Sequence, residues 1–249
     1  MPDAASDPWS LGVLVTACLL AGLVRGFAGF GAAMIYLPLA ATVLPPLEAI
    51  AVLIIMDVFG PMPVLRRAYG QAIKSELVIL VSACALALPF GLMLLVMLPT
   101  DVVRTAVSFV ALSLVLALVM GLRFQGALTR PLIAATGASG GFLGGLVGLP
   151  GPPIILLYMS RPVLIENIRA NSMLYLFAFD IMMLGAFTIM GRFSIGLALL
   201  GLGLAVPSMI GSIIGTRMFN PAKEKAYRNI AYAIIATSAI IGLPIWGRL

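Results

Sequence analysis

The chain has 249 residues, of which 62% are hydrophobic and 10% are charged. A soluble globular protein carries about 25% charged residues and roughly 45–50% apolar ones, so this chain has too few charges to cover a soluble surface. The composition therefore excludes a soluble domain and predicts one bundle of membrane helices. In such a protein a net charge of +6 is typical of basic loops facing anionic lipid, and it does not indicate nucleic-acid binding.

Several function classes are excluded by residues that the sequence lacks. Histidine is absent, which removes the commonest transition-metal ligand and argues against a metal transporter, a metalloenzyme or a Ser-His-Asp hydrolase. No G-x-x-x-x-G-K-[ST] phosphate loop is present, so we expect no ATP hydrolysis. We therefore expect no enzyme activity, no metal and no cofactor. Cys18 and Cys84 lie in apolar runs and are interpreted as small buried hydrophobes.

Eight apolar stretches follow one another along the chain. They are residues 9–44, 47–65, 77–98, 102–122, 131–159, 168–190, 195–216 and 226–246. A membrane helix needs about 20 residues to cross ~30 Å, and six of the stretches fit this length. The first and the fifth are longer, and as single helices they would run ~54 Å and ~43 Å.

The two overlong stretches resemble each other. Residues 26–34, G-F-A-G-F-G-A-A-M, can be set against residues 145–154, G-L-V-G-L-P-G-P-P-I. The G-x-x-G pair matches, and one inserted residue brings Gly31 onto Gly151. Internal repeats of this kind are common in transporters. The chain is therefore predicted to consist of two repeats of roughly 120 residues.

The two repeats are residues 1–122 and 131–249, with a linker at 123–130. The distribution of basic residues predicts how they lie in the membrane. If each overlong stretch crossed once, the basic residues would divide seven against seven. If each is a re-entrant hairpin, they divide eleven against three, with Arg25 at a tip left uncounted, which satisfies the positive-inside rule. We therefore predict an all-α membrane protein with six full spans, two hairpins, both termini outside and inverted halves. The eleven residues on the inner side are Arg66, Arg67, Lys74, Arg123, Arg130, Arg161, Arg169, Arg217, Lys223, Lys225 and Arg228.

Glycines mark the tips of the predicted hairpins. A broken helix in a transporter points the free N–H groups of a half-helix at an anionic substrate. We expect half-helices to begin between Gly26 and Gly29 and near Gly151. Together with Gly31 and Gly148, these glycines are candidate substrate-binding residues. The alternative is close packing, because G-x-x-x-G spacings are typical of helix contacts.

Charged and polar side chains inside the apolar stretches are the second set of candidates. Arg25 marks a substrate path, or else it snorkels or holds a carbonyl. Asp57 and Asp180 lie near the centres of the second and sixth stretches, where either could neutralise Arg25 or take up a proton. A fixed ion pair is an equally good interpretation. Asn171 and Tyr175 either line a cavity or bond one helix to another.

Two Gly-rich broken segments make the chain resemble the TauE/SafE family of sulfite exporters. They are residues 22–31, G-L-V-R-G-F-A-G-F-G, and residues 140–153, G-G-F-L-G-G-L-V-G-L-P-G-P-P. The resemblance covers nearly the whole chain, and the second segment is the more specific. It implies a multi-pass protein of the bacterial inner membrane that moves sulfite, an organosulfonate such as sulfoacetate, or another small oxyanion.

The expected function is therefore secondary transport of a small sulfur-containing anion, coupled to protons. Two alternatives stay open: an uncoupled anion channel with the same site, and a membrane scaffold subunit that transports nothing. The expected partners are the anion, protons and membrane lipid, with no nucleic acid. The sequence leaves open whether the chain forms a homo-oligomer.

Overall fold

The computed structural model describes residues 7–28, 31–59, 65–121, 128–158, 165–192, 194–218 and 224–246. Across these ranges the chain forms eleven α-helices, one 3-10 turn at Pro244–Trp246 and no strand. The helices are α1 Pro8–Ala28, α2 Ala32–Ala40, α3 Pro46–Phe59, α4 Leu65–Gln71, α5 Lys74–Met97, α6 Thr100–Val119, α7 Arg130–Val147, α8 Gly151–Tyr158, α9 Ile165–Ile189, α10 Ile195–Met218 and α11 Glu224–Ile241.

Within the described ranges, five helices are long and apolar enough to cross a membrane, namely α1, α5, α6, α9 and α10. Their outward surfaces carry large exposed apolar side chains, such as Leu86, Phe90 and Phe109. A surface of this kind suits lipid, where each helix satisfies its own backbone hydrogen bonds. The predicted class, an all-α multi-pass membrane protein, is confirmed.

The second apolar stretch, residues 47–65, is described only in part. Helix α3 covers Pro46–Phe59 and α4 begins at Leu65, whereas residues 60–64 lie outside the described ranges. The single span over this stretch therefore stays a prediction.

The first helix begins with a side-chain cap. The Asp7 carboxylate accepts hydrogen bonds from the backbone N–H of Ser10 at 3.0 Å and from its hydroxyl at 2.7 Å. This is the usual role of an aspartate just before a helix. The hydrogen bonds from Ser10 lower the pKa of Asp7. The cap fixes the start of α1, the helix that carries Arg25.

Helix α2 folds back along α1. Gly31, just before α2, lies against Val24 near the end of α1, whereas Thr42 lines a groove with Pro8 at the start of α1. Gly31 has a φ of +93°, in the left-handed region that glycine adopts without strain. The stretch thus forms a hairpin in which both arms reach the same end of the bundle.

The break in this hairpin differs from our prediction. Gly26 does not interrupt the helix, because α1 continues to Ala28, and the half-helix begins at Ala32 rather than between Gly26 and Gly29. The physical reason is packing: a Cβ on Gly26 would lie 2.3 Å from the carbonyl oxygen of Ser212. The glycine therefore allows close contact with α10 instead of a turn.

The second hairpin breaks where the sequence predicts. Helix α7 ends at Val147, and Gly148 has a φ of +73° and donates its N–H to the Gly144 carbonyl at 2.8 Å. Glycine at this position is the usual way to end a helix. Helix α8 then begins at Gly151, which confirms the predicted start of the second half-helix.

Two helix pairs hold the bundle together through glycines. Helix α1 packs along α10, and α5 packs along α7. The close contacts are Gly22 with Ser208, Gly26 with Ser212, Gly137 with Leu80, Gly141 with Cys84, and Gly145 with Leu88. Because glycine has no side chain, the backbones of the two helices can approach closely. Because the residue numbers rise together within each pair, each pair runs parallel.

The bundle has two ends. At the terminal end, the start of α1 lies beside Thr237 near the end of α11. At the linker end, α9 bonds to the segment that joins α4 to α5. Asn171 Oδ1 accepts the N–H of Ile73, just before α5, at 2.8 Å, and Asn167 Nδ2 donates to the carbonyl of Gln71, the last residue of α4, at 3.0 Å. Helix α5 runs ~36 Å away from the linker end. Helix α6, which begins at Thr100, therefore starts at the terminal end.

Candidate functional site

An ion pair joins the end of α1 to α3. The Nη2 atom of Arg25 lies 2.6 Å from Oδ2 of Asp57. Arg25 is in the last turn of α1, beside the hairpin tip, and its side chain is 35% exposed, against 17% for Asp57. Of the two carboxylates proposed from the sequence to neutralise Arg25, Asp57 therefore makes the contact. About a third of the Arg25 side chain thus stays exposed beside the pair.

Asp180 on α9 is the third charged group of this site. It is 9% exposed and lies within electrostatic range of Asp57 and Arg25. No described residue forms a hydrogen bond or an ion pair with its carboxylate. When all three groups are ionised the site carries one net negative charge, which disfavours binding of an anion.

Tyr36 on α2 belongs to the same region, and the sequence reasoning missed it. Its side chain is fully buried, and its hydroxyl has no hydrogen-bond partner in the described part of the chain. It lies within electrostatic range of Cys18 and Asp57. A buried hydroxyl without a partner costs about 1–3 kcal/mol. Tyr36 is therefore a donor available to a ligand that reaches Asp57.

Sulfur atoms lie next to this group. Cys18 on α1 is fully buried, and its Sγ is 3.8 Å from Sδ of Met56 on α3. Cys18 and Cys84 are both free and buried, which confirms the interpretation of the two cysteines as buried apolar groups. The contact places Cys18 beside the residue that precedes Asp57, so soft, apolar atoms border the charged site.

Asn171 and Tyr175 belong to a different set of contacts. The Asn171 amide donates to the Tyr158 hydroxyl at 2.8 Å, and the Tyr175 hydroxyl donates to the Gly137 carbonyl at 3.3 Å. Both side chains are fully buried. Neither forms a hydrogen bond with the ion pair among the described residues. Their observed hydrogen bonds join helices, as one of the two interpretations of the sequence proposes.

The tip glycines occupy distinct positions. Gly31 precedes the first residue of α2, close to Val24 and therefore close to Arg25 in the chain. Gly148 lies against Ile50, and a Cβ there would come within 2.8 Å of that side chain. Gly29, another candidate, lies outside the described residues. The first N–H groups of α2 have no partner within their own helix, so the α2 N-terminus presents free donors beside Val24, the neighbour of Arg25 in α1.

A family comparison covers most of the chain. The model of the sulfite exporter TauE/SafE family matches residues 14–241, a range that includes both hairpins and the Arg25, Asp57 and Asp180 site. No curated protein and no solved structure matches the chain. The family consists of membrane permeases for sulfur-containing anions rather than enzymes. The resemblance found in the sequence is thereby confirmed, and the chain belongs to the sulfite exporter TauE/SafE family.

Proposed function

We propose that this protein is a secondary transporter that moves sulfite, or an organosulfonate such as sulfoacetate, across the bacterial inner membrane and couples this movement to protons. The observation that carries the proposal is the Arg25–Asp57 ion pair at the tip of a broken helix. A charge at such a position in a membrane protein usually marks a substrate path. A guanidinium also presents a fork that matches two oxygens of an oxyanion.

The arrangement of charges suggests how protons enter the cycle. Asp57 forms an ion pair with the guanidinium that an anion would use. Protonation of Asp57 would weaken this ion pair and free Arg25 for the substrate. One proton would also remove the net negative charge of the site, so proton uptake and anion binding would favour each other.

Flux measurements in proteoliposomes test the proposed function against its alternatives. For a proton-coupled transporter, uptake of an organosulfonate, whose charge does not change near neutral pH, saturates with concentration and changes when a pH gradient is imposed. An uncoupled channel would follow the membrane voltage and would not respond to the pH gradient at zero voltage. A scaffold subunit would give no flux above that of empty liposomes, and that result would contradict the proposal.

We also propose that the two halves are inverted repeats. Suppose that α1, α3 and α5 of the first half correspond to α7, α9 and α10 of the second half. The contacts between helices then keep the same pattern when each helix is replaced by its counterpart. The contact of α1 with α10 then becomes that of α7 with α5, and the contact of α3 with α10 becomes that of α9 with α5. Each half would contribute one hairpin and three spans, with the basic linker end in the cytoplasm.

This topology predicts the labelling of two engineered cysteines. A cysteine at position 4 should react with a membrane-impermeant maleimide from outside the cell. One at position 126 should react only after the membrane is permeabilised, because the linker end carries most of the basic residues. The native Cys18 and Cys84 are fully buried, so the parent protein is the control for background labelling. Labelling of position 126 from outside, with position 4 protected, would contradict the hairpin topology.

Tyr36→Phe should weaken anion binding without lowering stability. The substitution removes a hydroxyl that has no partner among the described residues, so the melting temperature should stay the same or rise. A hydrogen bond to a charged group contributes about 1.5–3 kcal/mol, so affinity for sulfite should fall roughly ten-fold or more. Calorimetry and thermal unfolding measure the two effects. Tyr69→Phe, at an exposed position on α4, is the matched control. Unchanged affinity in Tyr36→Phe would remove Tyr36 from the site.

A further inference from the structure

We propose that Arg104 and Ser108 on α6 form a second site for a small oxyanion, at the terminal end of the bundle. Arg104 is 7% exposed and Ser108 is fully buried. In the described part of the chain, neither Nε of Arg104 nor Oγ of Ser108 has a hydrogen-bond partner. Both residues belong to the buried face of α6, a helix that packs against α2 and α11.

The spacing of the two residues places them on the same face of α6. Arg104 and Ser108 are four residues apart in one helix, so their side chains lie on the same face, with Cβ atoms about 5–6 Å apart. A buried cationic nitrogen and a buried hydroxyl without acceptors are both unfavourable. Water could accept from the hydroxyl, but it would leave the positive charge uncompensated. A small oxyanion supplies the negative charge and several acceptor oxygens at once.

The second site lies at the opposite end of the bundle from the first. Arg104 lies ~6 Å from the start of α6, at the terminal end, whereas Arg25 lies in the last turn of α1, towards the linker end. An anion that leaves Arg25 would therefore meet a second guanidinium before it reaches the opposite end. The assignment of this site to the transported anion rests on the proposed function. The phosphate of a phospholipid headgroup has the same chemistry and would fit the same donors.

Calorimetry on purified protein can isolate the second site. In an Arg25→Ala/Asp57→Ala background, which removes the first site, sulfite should still bind with one site per chain. Addition of Arg104→Ala should abolish this binding, and addition of Ser108→Ala should weaken it about ten-fold. Ser113→Ala, an exposed serine on the same helix, is the matched control and should have no effect.

Native mass spectrometry identifies the source of the oxyanion. If a phospholipid stays bound to the parent protein, is lost in Arg104→Ala and is not displaced by sulfite, the site holds a headgroup phosphate. If sulfite binds and no lipid is lost, the site holds the free anion. Should Arg104→Ala fail to fold, Ser108→Ala decides: a folded variant that binds sulfite and phospholipid as Ser113→Ala does overturns the proposal. Two binding sites in a protein that shows no flux would contradict the proposed function and leave this site standing.

Discussion

Arg25→Ala is expected to abolish sulfite flux in proteoliposomes. The substitution removes the guanidinium that would bind the oxyanion and leaves the Asp57 carboxylate without the partner that it contacts at 2.6 Å. A hydrogen bond to a charged group contributes about 1.5–3 kcal/mol, so loss of the guanidinium should lower the affinity for sulfite roughly ten-fold or more. Arg25→Lys should keep weak transport, because the charge stays but the fork that matches two oxygens is lost.

The controls separate a binding role from a structural one. The unpaired Asp57 carboxylate in Arg25→Ala disfavours folding, whereas the double variant Arg25→Ala/Asp57→Ala removes both charges and should fold without transporting. Arg217→Ala removes an exposed arginine from the last turn of α10 and should transport like the parent. If Arg25→Ala binds and transports sulfite normally, Arg25 has a structural role and the anion site lies elsewhere.

The charged part of the site could be predicted because charges stand out in apolar stretches. Arg25, Asp57 and Asp180 are visible in the sequence for this reason, and the structure brings all three into electrostatic range of one another. The choice of Asp57 as the partner of Arg25 could not be predicted. It depends on how α3 and α9 pack around the end of α1, and no local pattern encodes that packing.

Tyr36 and Gly26 show where sequence patterns fail. A tyrosine in an apolar run is usually a membrane or core residue, and only the surrounding helices reveal that the Tyr36 hydroxyl has no partner in the part of the chain that the structure describes. Glycine in a membrane helix marks either a break or a close contact. At Gly26 the glycine serves the close contact with Ser212 of α10, and this partner lies in the other half of the chain. The left-handed turn falls at Gly31 instead.

Asp57→Asn is expected to bind the anion at least as tightly as the parent but to lose its response to a pH gradient. The neutral amide mimics protonated Asp57, so Arg25 would be free at every pH and the net charge of the site would no longer oppose an anion. In the parent, affinity should rise as the pH falls, because uptake of one proton removes the net negative charge of the site. An organosulfonate is the substrate to use, since its sulfonate stays ionised and any change with pH then belongs to the protein.

Asp180→Asn distinguishes the two carboxylates. Asp180 forms no ion pair with a described residue, so its loss should make the site less negative and tighten binding while the Arg25–Asp57 contact and the pH response stay. Asp101→Asn, at an exposed position at the terminal end, should leave affinity and pH response unchanged. Calorimetry and flux at two pH values compare Asp57→Asn, Asp180→Asn and Asp101→Asn with the parent. If Asp180→Asn loses the pH response and Asp57→Asn keeps it, the proton is taken up by Asp180, and the Arg25–Asp57 pair is a fixed structural contact.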